Sequence, residues 1–425
     1  MIHSAVANAQ EALRQLLLQY PKADTVWVGF SGGLDSTALL FIAKSVISPD
    51  FPKVRLRAVY VNHNLQADAS AWAIHCSRLA AQLAIDIQIV SVTPRSASEE
   101  DARNARYQAY EELLSPGDLL LLGHHRDDQA ETLLMRMFRG SGVSGLGGMA
   151  PIRCFGKGWI LRPFLKLGRQ DLQHVVEQAQ LSWIDDPSNL NTDYLRNWIR
   201  NILAPVLQQR WPGWSGQLSR TADALSEADE LNRQLALIDA DGEFMNPLSV
   251  KRELVAQPVR FRNLVYHWLV SQDIRPGSRV QLDDLVDQYA SGGKGQWSFS
   301  GRSVYLYQSQ LWVVAQNLPQ QSSVQMELQI GSFELAYGQL EIELSDSGLR
   351  QGLEIVVRPR RAADRIRLPG GSQSVKKFMN AQKVPPWLRD SWPLIEVENE
   401  IIAIVGLWVD PSWLEKGGVK LNWRL

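Results

Sequence analysis

Two hydrophobic periods alternate over the first 150 positions of the chain. Residues 25–30 (TVWVGF), 56–61 (LRAVYV), 85–92 (IDIQIVSV) and 118–123 (DLLLLG) are short apolar runs bounded by turn residues. They predict four strands. Helical patterns lie between them, near 36–46, 68–83, 99–114 and 127–138. Ser98 with Asp101 reads as a capping box that opens the third helix. Near-continuous apolar strands alternating with helices imply a parallel sheet covered on both faces. Such sheets bind ligands outside the carboxyl ends of their strands. Chemistry is therefore expected just after Phe30, Val61 and Gly123.

Further along, the pattern is mostly helical from Gly168 to about Asp239, interrupted at 183–189 (WIDDPSN) and 210–214 (RWPGW). Residues 216–270 look helical and amphipathic, and 296–314 look like strands. The segment 317–323 (NLPQQSS) is a polar linker candidate, and 330–425 shows the short runs of a small β-rich or mixed domain. The expected class is α/β: a parallel-sheet domain at 1–215, a mostly helical middle domain at 216–325 and a small mixed α/β domain at 326–425.

Composition narrows the picture by exclusion. A chain of 425 residues buries a large core without disulfide staples. Lys and Arg number 44 against 45 Asp and Glu, so net charge names no partner. Cys76 and Cys154 make no CxxC, no zinc spacing and no disulfide framework, which fits a reducing cytosol. The longest uncharged apolar run, 401–409, is far short of the ~18–20 residues that span a bilayer. The N-terminus lacks a basic region followed by an apolar one, so no signal peptide is expected. A cytoplasmic protein without membrane contact is the expectation.

The strongest chemical signal is Ser31-Gly32-Gly33-Leu34-Asp35-Ser36, after a strand and before a helix. Two glycines in such a loop expose backbone N–H groups and let phosphate oxygens approach. The helix N-terminus adds its dipole, so an anion is favoured there. Ser31 and Ser36 add hydroxyls. Asp35 would repel phosphate unless a cation intervenes, and Mg²⁺ suits hard oxygen ligands. The loop is not the Walker type. It resembles the pyrophosphatase loop of the N-type ATP pyrophosphatase superfamily, whose members cleave ATP between the α and β phosphates.

Residues 123–132 read Gly-His-His-Arg-Asp-Asp-Gln-Ala-Glu-Thr. His124 or His125 would stand at the end of the fourth strand. Asp127 and Asp128 lie four and three residues before Glu131, so they share a helix face with it. Acids in a first turn also simply favour the helix dipole, which leaves a structural role open. The histidines add acid/base capacity near neutral pH. In the third helix Arg103 and Arg106 lie off the apolar stripe of Ala102, Ala105, Ala109 and Leu113. They are either solvated or aimed at phosphates.

In order, SGGLDS, His63 at the second strand end, Ala102-Arg103 with Arg106-Tyr107, residues 124–132 and the run 139–149 (RGSGVSGLGGM) resemble the tRNA(Ile)-lysidine synthase family. Arg162-Pro163, residues 183–189 and Arg196-Asn197-Trp198-Ile199-Arg200 resemble it too, so the likeness covers 25–210. Two departures are Asn64, where the family usually has glycine, and Tyr60, where some members carry histidine. Thiolating relatives often use paired cysteines, which this chain lacks.

The resemblance implies an adenine-nucleotide alpha-hydrolase-like (Rossmann-like) N-terminal domain and a ligase using ATP and Mg²⁺. Its substrates would be L-lysine and tRNA(Ile) with a CAU anticodon. The wobble cytidine would be adenylated at the oxygen on ring carbon 2, releasing pyrophosphate. The lysine ε-amine would then expel AMP, giving lysidine and shifting codon specificity from AUG to AUA. Ser31, Gly32, Gly33, Leu34, Asp35 and Ser36 would hold the nucleotide, and Asp35 and Asp128 the Mg²⁺. Arg103 and Arg106 would clamp phosphate or the cytidine oxygen. Glu131, with His125 as second choice, would accept the lysine proton. The competing class is another ATP pyrophosphatase of this superfamily, either a small-molecule amide synthetase or a different tRNA-modifying adenylating enzyme. The oligomeric state is open, a homodimer included.

The window 358–389 carries nine Lys or Arg and one acid, a net +8, so the remainder carries −9. Arg358, Arg360, Arg361, Arg365, Lys376, Lys377 and Arg389 are the expected tRNA contacts, because phosphate contacts supply affinity. Phe378 and Trp387 lie among them, either stacking on bases or packing in a core.

Overall fold

The computed structural model describes all residues except 1, 21, 64–68, 97, 277, 300, 316–321, 337 and 425. Asn64 and most of the 317–323 linker candidate lie outside the described residues. The chain divides into two compact units, Met1–Asn232 and Arg233–Leu425.

In the first unit, α1 (Ile2–Leu17) precedes β1 (Thr25–Gly29), α2 (Leu34–Asp50), β2 (Arg55–Asn62), α3 (Ala69–Gln82), β3 (Asp86–Ser91), α4 (Glu99–Leu113), β4 (Leu119–Leu121) and α5 (Arg126–Phe138). The strands sit where the apolar runs place them, because the central runs have two faces to bury, while the edge strand β3 stays partly exposed. Leu119, Leu120 and Leu121 are all buried. One face of the sheet packs against Leu39, Leu40 and Ile42 of α2, and the other against Ala109 and Tyr110 of α4. Ser98 caps α4 by accepting from the Asp101 amide at 3.1 Å.

A short helix α6 (Val143–Leu146) leads to a hairpin that the sequence pattern did not reveal, β5 (Ile152–Phe155) and β6 (Gly158–Leu161); α7 (Arg169–Gln178) follows. The sheet order is β3-β2-β1-β4-β6-β5. Only β5 runs antiparallel to its neighbour. Successive strands build outward from β1 to β3, and α4 then carries the chain back to the other side of β1. The order reverses between β1 and β4, and the crevice at that switch point is where a ligand is accommodated.

The second unit begins its core with helices Pro258–Ser271 and Arg279–Ala290 against a four-stranded antiparallel sheet ending in Gln310–Ala315. Two further antiparallel sheets enclose Leu340, Ile355, Val357 and Ile402. Trp387 stacks on Tyr305 at 4.2 Å between centroids and touches Tyr307 and Trp312 edge-on. Phe378 is buried beside Val375 and Met379. Both aromatics of the basic window are thus packing groups. No helix among the described residues is long and apolar enough to cross a membrane.

Candidate active site

The loop after β1 folds as its glycines demand. Gly32 has φ +80, and a Cβ there would meet the Cys76 sulfur at 2.9 Å, so both backbone and space require glycine. Cys76 lies under this loop, because α3 leaves the same carboxyl edge. Burial pushes its thiol up to about 12, which makes it a packing residue. Gly33 is the N-cap of α2 and offers no side-chain cap, leaving the first amides of a 17-residue helix to bind an anion. The Ser36 hydroxyl donates to the Gly33 carbonyl at 3.0 Å and accepts from the Ser31 amide at 3.2 Å, so it knits the loop together. The Ile184 amide donates to the Gly32 carbonyl at 2.9 Å and buttresses the turn from 183–189. A Cβ on Gly123 would lie 2.9 Å from the Asp35 carbonyl oxygen, so the end of β4 presses directly on the loop.

His125 caps α5. Its Nδ1 accepts from the Asp127 amide at 3.2 Å, and its own amide donates to Asp128 Oδ2 at 3.0 Å. Its Nε2 then faces Asp35 Oδ2 at 3.6 Å and Asp128 Oδ2 at 3.4 Å. Burial disfavours the imidazolium, but Asp128, Asp35 and Asp127 outweigh it, and the His125 pKa is raised. The structure therefore gathers Asp35, His125 and Asp128 at the switch point.

Two arginines without an assigned role in the sequence reading complete this cluster. Arg200 donates from Nε to Glu131 Oε1 at 2.7 Å and from NH2 to Asp128 Oδ1 at 2.8 Å. Arg196 donates from Nε to Glu131 Oε2 at 3.0 Å. The signal was their spacing of four, which puts both on one face of a helix. They belong to a helix at Leu195–Trp198 and the π-helical turn Ile199–Leu203 after it. Burial would raise the Asp128 pKa, yet His125, Arg196 and Arg200 hold it well below the usual carboxylate range. Glu131, the expected lysine base, is buried with both oxygens engaged by guanidinium donors. In this arrangement it is an ion-pair member and closed to an ammonium group.

Asp35 differs. Its side chain is 32% exposed, and its Oδ1 is buried without a hydrogen-bond partner. A free hard oxygen beside an anion-binding loop fits Mg²⁺. Asp128 fits less well, since both its oxygens are engaged by Arg200 and the His125 amide. No group of three His, Cys, Asp or Glu shaped for a metal occurs among the described residues. A cavity of about 850 Å³ opens alongside, lined by His125, Asp127, Glu131, Asp185, Asp186 and Arg200 among others.

Arg103 and Arg106 are half-buried on α4 and make no ion pair with an acid among the described residues. They gather with His124, His63 and Arg162 rather than with the acids. Burial is the largest cause lowering the His124 pKa to about 3, with Arg162, Arg196 and Arg103 adding to it, so its imidazole is neutral.

The basic window is only partly a surface. Arg361, Arg365, Lys376 and Lys377 are exposed. Arg358 is instead 2% exposed and bonds Glu396 at 2.6 Å and Asp364 at 2.8 Å, which removes it from any tRNA-facing set. Glu396 lies on a neighbouring strand far along the chain, outside the window whose charge was counted. Arg360 pairs with Asp390, and Arg389 donates to the Val384 carbonyl.

The chain matches the family model described as a PP-loop domain over residues 5–207, and the one described as the TilS substrate C-terminal domain over 355–423. It is 35% identical to a tRNA(Ile)-lysidine synthase of Pseudomonas putida, over 96% of this chain and 97% of that one. It is 35% identical to that of Alkalilimnicola ehrlichii, over 97% and 96%, and 33% identical to that of Legionella pneumophila strain Paris, over 89% and 90%. Likeness at this level across nearly the whole of both chains places this chain in the tRNA(Ile)-lysidine synthase family.

Proposed function

We propose that this chain ligates L-lysine to ring carbon 2 of the wobble cytidine in tRNA(Ile) with a CAU anticodon, using ATP. The observation that carries the reading is the uncapped α2 N-terminus beside the unpaired Asp35 oxygen, at the point where the sheet order reverses. In the first step the cytidine O2 attacks the α phosphorus and pyrophosphate leaves. The amides at the start of α2 receive that leaving group, and Gly32 lets it approach the backbone. Mg²⁺ held by Asp35 would offset phosphate charge. Arg103 and Arg106 supply positive charge on the α4 side of the crevice. In the second step the neutral ε-amine attacks ring carbon 2 and AMP leaves. The ammonium must first lose a proton. Of the two expected acceptors, Glu131 has no free oxygen, whereas His125 keeps its proton on Nε2 toward Asp35 and Asp128 and can take another only after passing that one to a carboxylate. The acids that hold His125 also suit a cationic co-substrate. Reaching the base requires it to leave the anticodon stack. The three-domain borders given above remain part of this reading, as do the cytoplasmic location and an oligomeric state that includes a homodimer.

The test is incorporation of labelled lysine into CAU-anticodon tRNA(Ile), with the product mapped by nuclease digestion. Label at the wobble nucleotide, dependent on ATP, is the expected result. Label elsewhere or none at all would overturn the reading.

A further inference from the structure

Two strands across the sheet from the phosphate loop, positive charge is gathered without a neutralising acid among the described residues. Arg162, the residue after β6, is 4% exposed. Its NH1 donates to the Ala150 carbonyl at 2.7 Å, its side chain also bonds Tyr107, and its Nε is buried without a partner. Arg103 donates from NH2 to the Tyr107 hydroxyl at 3.3 Å and lies over the same ring, 4.8 Å from its centroid. Arg153 approaches that ring at 5.6 Å and the Phe155 ring at 5.4 Å. Three guanidinium groups thus surround one phenol.

The field there is strong. Burial pushes the Tyr107 phenol up, yet Arg103, Arg162 and Arg106 draw it below its ordinary value. Of the three, Arg162 is buried, Arg103 half-buried and Arg153 exposed, and a buried cation costs several kcal/mol unless something compensates. Arg196 and Arg200 are compensated by Asp128 and Glu131. Among the described residues Arg103 and Arg153 have aromatic partners, and Arg162 has the Tyr107 hydroxyl and the Ala150 carbonyl, with no carboxylate. Guanidinium forks with open donors match the several oxygens of a phosphate.

Position selects the source of that phosphate. The loop that receives pyrophosphate follows β1, and Arg162 follows β6, with β4 between them. Two strand spacings separate them, ~10 Å. We propose that Arg103, Arg153 and Arg162, gathered round Tyr107, bind a backbone phosphodiester of the RNA beside the nucleotide being modified. This site rests on the reading of RNA as the substrate. It fixes the strand on the α4 side of the crevice while the target base turns toward ATP.

The test compares equilibrium binding of an anticodon stem-loop of tRNA(Ile) to the wild-type chain, Arg153→Gln and Arg162→Lys. Arg153 is exposed, so its replacement leaves the fold intact, and lysine at 162 keeps the charge but loses the fork. Losing one charge-assisted contact predicts roughly tenfold weaker RNA binding in Arg153→Gln. The salt slope becomes shallower by about 0.7. The KM for ATP stays within twofold. A stem-loop with one neutral methylphosphonate linkage next to the target cytidine weakens binding to wild type and does not weaken Arg153→Gln further. Unchanged RNA affinity and slope in both variants would overturn the proposal. So would a rise confined to the KM for ATP, which would assign the cluster to the nucleotide. Lysine incorporation by the wild-type chain is scored separately. Its absence would fell the proposed function, while the binding comparison still decides the phosphate site.

Discussion

The carboxyl edge of one sheet carries two groups of arginines in opposite electrostatic states. Arg196 and Arg200 lie against Asp128 and Glu131, each guanidinium spent on a buried carboxylate. Arg103, Arg153 and Arg162 surround Tyr107 with no carboxylate among the described residues. The first group is a finished structure, in which removing one partner strands a charge. The second is complete only with an anion from outside. Beside the first group sit the loop of α2 and Asp35, whose Oδ1 is buried without a hydrogen-bond partner. The difference teaches that an arginine's type and spacing do not state its role. What lies opposite it does.

That contrast can be broken at several points. The largest effect is expected at Asp35. Asp35→Ala should lower pyrophosphate release by at least about a thousandfold, the scale of lost phosphate charge stabilisation, while RNA binding stays within a few fold. Normal turnover would remove Asp35 from the mechanism. Next comes the compensated group. Glu131→Gln leaves Arg196 and Arg200 with Asp128 as their only carboxylate partner among the described residues, and should cost roughly 1–3 kcal/mol in urea unfolding. Arg153→Ala, from the uncompensated group, should cost little or gain stability in the same measurement. Equal losses in the two variants would erase the distinction.

On the RNA side, neutralising Lys376 and Lys377 together should weaken tRNA binding severalfold and make the salt slope shallower by roughly 1–2. Arg358→Gln should instead lower the unfolding midpoint and leave the slope alone, because its charge is already used by Glu396 and Asp364. A slope change in Arg358→Gln would return that residue to the RNA face. The smallest effect is in pH dependence. His124 has a folded pKa lowered to about 3, while the unfolded chain binds the proton near 6.5. The unfolded state therefore holds more protons between these values, so stability falls as pH drops from about 6.5 toward 3. His124→Asn should flatten that part of the unfolding profile, and an unaltered slope would show His124 solvated.

The parallel sheet was legible because apolar runs of strand length alternate with helical periods, and a strand buried on both faces has no other pattern available. The β5–β6 hairpin was not legible, since strands of four residues carry too little periodicity. Ser31–Ser36 was legible as an anion loop from its glycines and its place between strand and helix. The occupation of Glu131 was not, because Arg196 and Arg200 are 65 and 69 residues away along the chain. Arg358 was misread in part for the same reason: besides Asp364 six residues on, it is held by Glu396 38 residues on, which a local charge count does not reach.

The central claim is that the α2 loop activates a nucleotide of the RNA, and ATP–pyrophosphate exchange tests it most directly. The account predicts exchange with CAU-anticodon tRNA(Ile) present, none without it, and none in Asp35→Ala. Exchange that proceeds equally well without RNA, supported by a small carboxylic acid alone, would contradict it.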